Sequence, residues 1–221
     1  MTRPLAALFA TLAWVTLGTQ FLLSIRTALG TGGSVWDGVV SYFGFFTVLT
    51  NLFCATILLA HARRPRPSER RGTPPQAVVW DVLMRPGVMT TAATAIIIVG
   101  VVYHLVLADL WNPRGINLAV DTMLHTVLPV AYVLFWWLAV PRGAITWREV
   151  PLWLVYPGAY AVYVFARGAL IADYPYPFID VAQIGYAAAV RNSVGIALVF
   201  AAVAAALVGV NRVLGGKGGA G

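Results

Sequence analysis

The sequence predicts an all-α membrane protein built as a bundle of six transmembrane helices. Three observations carry that expectation. Of 221 residues, 60% are hydrophobic and only 10% are charged, whereas a soluble domain carries about 25% charged residues. Mean hydropathy is +0.80. The apolar residues also gather into six stretches, each close to the roughly 20 residues that cross a bilayer. Too little charge remains to cover a water-facing surface. A soluble enzyme, a disulfide scaffold, a disordered chain and a nucleic-acid-binding domain are thereby excluded.

The expected spans are residues 5–25, 42–62, 86–108, 118–140, 150–172 and 187–210, forming one membrane domain over 1–211. Only Arg3 precedes the first apolar run, which continues through Thr19-Gln20-Phe21-Leu22-Leu23. That is longer than the apolar core of a cleaved signal peptide, so it reads as a retained helix. Between the second and third spans, residues 63–85 hold the strongly polar Arg-Arg-Pro-Arg-Pro and Glu-Arg-Arg runs. This segment reads as an exposed, flexible linker. The fourth span carries Pro129, which cannot donate to the carbonyl of His125 and bends the helix there. Residues 212–221 are Gly-rich and are expected to be disordered.

The formal net charge of +7 is placed rather than spread. Eleven of the fifteen Lys and Arg residues fall on the side of both termini. Arg26, Arg114, Arg167 and Arg191 fall on the other. Basic loops stay inside, so both termini are expected in the cytoplasm and the chain in the cell membrane. The linker arginines then face anionic lipid headgroups, and no nucleic acid is needed to explain the charge. Cys54 stands alone, so neither a disulfide nor a cysteine-based metal site is expected. Trp36, Tyr42, Trp80, Trp111, Trp147 and Trp153 lie near span ends, as an interfacial belt requires.

Ionisable groups inside a span are costly and mark function. At 1.5 Å per residue, Thr47, Thr50, Asp121 and His125 lie about 5–12 Å below the outer ends of their helices. His104, Arg167 and Arg191 lie about 6–8 Å from the outer ends of three others. A shared outer-leaflet polar cavity accounts for the matched depths. Blander readings are that each Thr bonds its own preceding turn, that the histidine pairs with a polar neighbour, and that the arginines snorkel to the interface. His61, at the inner end, reads as a headgroup contact.

His125 has the most specific surroundings. Asp121 lies one turn earlier on the same face, where its carboxylate holds one ring nitrogen and leaves the other basic. A base positioned beside a hydroxyl is the minimum apparatus for nucleophilic catalysis.

Three blocks, Phe46-Thr47-Val48-Leu49-Thr50-Asn51-Leu52, His125-Thr126-Val127-Leu128-Pro129 and Tyr176-Pro177-Phe178, together with Arg191, resemble the androgen-induced and androgen-dependent membrane protein family. The resemblance covers the six-span layout over most of the chain. Its most specific part is the His-Thr-Val-Leu-Pro block. It implies an intramembrane threonine hydrolase acting on fatty acid esters of hydroxy fatty acids, with nucleophile and base on different helices. By motif position these are Thr47 and His125. The threonine block is one residue longer before its leucine than in the animal relatives, so Thr50 is a rival nucleophile.

The leading expectation is therefore a membrane-embedded esterase whose substrate is a membrane lipid or fatty acid ester. Thr47 attacks, His125 takes the proton and Asp121 orients the ring. Arg191 or Asn51 stabilises the oxyanion, or Arg191 grips a substrate carboxylate, while His104 and Arg167 complete the polar lining. No cofactor and no metal are expected, although His104, His125 and Asp121 are the residues a metal hydrolase would use. The alternative is a transporter or a non-catalytic lipid-binding protein with a polar intramembrane pathway.

Overall fold

Inside a bilayer every backbone N–H and C=O must find a partner within the protein, which leaves helices as the form for apolar stretches of this length. The computed structural model describes residues 2–63 and 75–216, and these form helices and no strands. In order they are α1 (Thr2–Gly30), α2 (Val35–Gly44), α3 (Phe46–Arg63), α4 (Pro75–Leu83), α5 (Pro86–Val102), α6 (Ile116–Thr122), α7 (Leu128–Ala139), α8 (Val150–Trp153), α9 (Val155–Ile171) and α10 (Val181–Gly216). A wide π turn, Tyr103–Leu107, extends α5, and a second, Met123–Val127, joins α6 to α7. Six of the resulting rods are long and apolar enough to cross a membrane. The protein is a multi-pass membrane protein.

α3 lies between α1 and α5, and α5 in turn packs on α7 and α10. Small residues set the closest approaches: Ala6, Ala10 and Ala13 of α1 are buried on one face, letting α1 lie against α3. Gly38 is tighter still, since a Cβ there would stand 2.6 Å from Cα of Ile25. Trp136, Tyr132, Phe135, Ile57 and Ile96 fill the centre. Outward-facing Leu105, Leu170 and Val162 are exposed, as lipid-facing residues should be.

Five features depart from the sequence-based expectation. The second span does not start at 42, because the helix breaks at Phe45, whose backbone is extended (φ −84°, ψ 128°). The linker expected over 63–85 contains α4, whose apolar Ala-Val-Val-Trp-Asp-Val-Leu run stands apart from the arginines before it. Arg64, Arg66, Arg70 and Arg71 lie outside the described residues, as does Lys217. The tail expected to be disordered from 212 is helical to Gly216, because Asn211 pins it. Its amide donates to the Pro141 carbonyl at 3.0 Å, and its carbonyl accepts from Gly143 N–H at 3.1 Å. Finally, Tyr42 and Trp153 are packed inside the protein, whereas Trp36, Trp111 and Trp147 are exposed. His61 also turns inward, with Nε2 3.1 Å from the Thr2 hydroxyl.

Candidate active site

The break at Phe45 creates the threonine's setting. Ending α2 frees the carbonyls of Phe43 and Gly44, each of which costs several kcal/mol if left bare in a membrane. Two tyrosines of α9 supply the donors. Tyr163 donates to the Phe43 carbonyl at 3.3 Å and Tyr160 to that of Gly44 at 3.0 Å. Restarting at Phe46 leaves the first amides of α3 free, and Thr47 N–H donates to the Tyr176 hydroxyl at 3.4 Å. Burial pushes the Tyr176 phenol up, against hydrogen bonds from the Thr47 hydroxyl and amide.

Position in the helix then separates Thr47 from the other threonines. Thr16, Thr56, Thr90 and Thr94 each donate to the carbonyl four residues back, at 2.7–2.9 Å. For Thr47 that carbonyl is Phe43, which lies across the break and is already taken by Tyr163. Its hydroxyl meets Tyr176 instead. Thr50 has no such freedom: it is fully buried, with its hydroxyl 3.1 Å from that of Tyr156. It does not reach the cavity described below.

His125 lies within the Met123–Val127 π turn. Pro129 has no N–H to offer the His125 carbonyl, and Leu128 N–H reaches back to Met123 instead of Leu124. The expected bend is thus a one-residue widening. π turns concentrate at functional sites because they re-aim side chains. The freed His125 carbonyl faces α5 at Gly100, where a Cβ would stand 3.4 Å away.

The imidazole orientation follows from its partners. Nδ1 is 3.0 Å from the Asp121 backbone oxygen and 3.1 Å from Asp121 Oδ1. A carbonyl oxygen can only accept, so Nδ1 carries the hydrogen and Nε2 is the basic nitrogen. The Tyr103 ring stacks on the imidazole, with centroids 3.9 Å apart and planes 11° from parallel. Its hydroxyl donates to Asp121 Oδ2. The first π turn begins at Tyr103, so one wide turn supplies the tyrosine of this stack, the other the histidine, and α6 the aspartate.

Thr47, Asp121 and His125 come together on one cavity of about 890 Å³. It opens at the end of the bundle where α1 finishes, among Thr27, Thr31, Trp111, Asn117, Asp173 and Pro175. Asn51 ties its two sides together, its amide donating to the Thr47 carbonyl at 2.9 Å and to that of Leu124 at 3.2 Å.

The rest of the expected lining lies elsewhere. The Asn51 amide is spent on these carbonyls and does not face a substrate. His104 turns toward Thr126, 3.0 Å away, on the outer face of α5. Among the described residues, His104, His125 and Asp121 do not gather as a ligand set. Arg167 is buried but outside the lining. It donates to the Asp173 carbonyl at 2.7 Å and pairs with the carboxylate at 2.6 Å, with its guanidinium against Gly44. Arg191 is exposed on α10, where the helix turns it away from the bundle.

Tyr103 and Tyr176 were not singled out in the sequence as functional side chains. Tyr176 stood only within a motif block, and tyrosines near span ends read as belt residues. No protein-family model, curated protein or solved structure matches this chain.

Proposed function

We propose that the protein is an intramembrane, threonine-dependent hydrolase of lipid esters. The observation that carries this reading is that Thr47 and His125, from different helices, border one cavity with Asp121 on the far ring nitrogen. His125 Nε2 accepts the Thr47 proton through a water molecule in the cavity as the hydroxyl oxygen attacks the ester carbonyl. The alcohol leaves with a proton returned by His125, and water then cleaves the acyl-threonine. Asp121, held by Tyr103, keeps the ring in the productive tautomer. Tyr176, beside Thr47, supplies the hydroxyl that steadies the developing oxyanion, a role that Arg191 and Asn51 are too occupied or too distant to fill. The resemblance to the androgen-induced and androgen-dependent family supports the same pair and fatty acid esters of hydroxy fatty acids as one substrate class. The charge asymmetry of the loops supports a cell-membrane protein with both termini in the cytoplasm and the cavity toward the outer leaflet.

One observation favours the non-catalytic reading. The Thr47 hydroxyl rests on Tyr176 rather than on His125, as it would in a lipid-binding protein with no chemistry to perform. Labelling purified protein with a fluorophosphonate and mapping the modified residue separates the two. The hydrolase labels at Thr47 and loses labelling in both Thr47→Ala and His125→Ala. Ester hydrolysis that survives in His125→Ala rules the mechanism out, since an unassisted threonine hydroxyl is too weak a nucleophile near neutral pH.

A further inference from the structure

A second cavity, of about 160 Å³, lies on the other side of Thr47. Its walls are Val99 and Val102 of α5, Ala161 and Val164 of α9, and Ile196 and Ala197 of α10. Thr47, Leu107 and Tyr176 border both cavities. A mainly apolar space of this size suits an apolar solute. The larger cavity is the more polar of the two, so together they form an amphipathic site pinched at Thr47 and Tyr176.

The polar half has a definite electrostatic sign. Asp37, Asp121 and Asp173 line it, and no Lys or Arg does so among the described residues. Arg167 offsets Asp173 from behind, leaving an acidic excess. Asp121 is buried, with His125 Nδ1 3.1 Å from Oδ1 and the Tyr103 hydroxyl on Oδ2, so its carboxylate presents only acceptors to a head group. Gln20, Ser24 and Asn117, also on the wall, both donate and accept.

We propose that this double cavity binds a single-chain amphiphile with an uncharged, hydroxyl-bearing head, as in a monoacylglycerol. Part of the hydrocarbon chain sits in the apolar cavity and the hydroxyls in the acidic one. An anionic head is disfavoured by like charge along this wall. The proposal rests on the hydrolase reading and puts a neutral ester in place of the carboxylate-bearing esters that the resemblance implies. A non-hydrolysable ether lipid keeps its test separate from catalysis.

The experiment is equilibrium binding of radiolabelled 1-O-hexadecylglycerol to the protein in phosphatidylcholine nanodiscs, corrected against empty discs. Unlabelled 1-O-hexadecylglycerol, hexadecyl sulfate and hexadecyltrimethylammonium serve as competitors. Saturable binding is expected, with the sulfate competing roughly tenfold or more weakly than the glycerol ether. Asp37→Asn should narrow that gap. Ala161→Trp and Ala197→Trp, from opposite walls of the apolar cavity, should each weaken binding roughly tenfold. Elution as the wild-type species identifies the folded variants. Sulfate competing as well as the ether overturns the assignment of the head, as does the ammonium competing best. Undiminished binding in a folded tryptophan variant, or no saturable binding at all, overturns the site. Binding as expected in a protein that hydrolyses no ester leaves this inference standing and removes the hydrolase reading.

Discussion

At the scale of single residues, the side chain that organises the site most tightly is Tyr103, because it acts on the imidazole twice. Its ring covers one face of His125 and its hydroxyl fixes the carboxylate that faces Nδ1. Tyr103→Phe keeps the stack but leaves Asp121 Oδ2 without its donor in a buried setting. That should cost about 1–3 kcal/mol of stability, read as a lower unfolding temperature in detergent. If the hydrolase reading holds, Asp121→Asn should be milder in activity than His125→Ala, since an amide oxygen still accepts from Nδ1–H. Thr47→Ala and His125→Ala should each cost about as much as the double variant, because nucleophile and base act as one unit. Single-turnover assays on all four proteins check this. Full activity in Thr47→Ala with loss in Thr50→Ala would move the nucleophile one turn along α3.

At the scale of elements, the two π turns and the break at Phe45 matter more than the long regular spans. The break frees the carbonyls of Phe43 and Gly44, which take Tyr163 and Tyr160 of α9, and the turn at His125 frees that of Leu124, which takes Asn51 of α3, so the site geometry is tied to helix packing. Gly38 shows how tight this packing is. The atoms nearest a Cβ there belong to the backbone of Ile25 and Ser24 and cannot rotate away. Gly38→Ala should therefore push α2 off α1, lower the unfolding temperature and loosen the cavity wall. Gly18 of α1 has nothing within 4 Å of its Cβ position. Gly18→Ala should be neutral or gain up to about 1 kcal/mol from reduced chain entropy. Equal behaviour of the two variants in a thermal shift assay would show that the α1–α2 crossing is not constrained in this way.

At the scale of the whole molecule, the described charges leave the cavity end of the bundle with few cations. Two of them, Arg167 and Arg191, lie in α9 and α10 rather than in loops. Under the proposed orientation, a reporter fused to the C-terminus and one inserted in the loop at Arg114 should report opposite faces of the membrane. Reporters on the same face would refute the six-span topology in the cell and the outer-leaflet position of the cavity with it.

Composition and hydropathy alone determined that the chain is an all-α, six-span membrane protein, because lipid leaves a long apolar segment only the helical option. The Asp121–His125 pair was also legible, being a local matter of one helical turn. The placement of Thr47 on the cavity and of Thr50 off it, the departure of Arg191 and His104 from its lining, and the contacts of Tyr103 with His125 and Asp121 were decided only by tertiary structure. Depth along a helix can be counted from a sequence. The direction in which a side chain faces around the axis depends on where the helix breaks and widens, and on which neighbours satisfy the groups set free. Tyr160 and Tyr163 can stabilise the interruption at Phe45 only after α9 has packed against it.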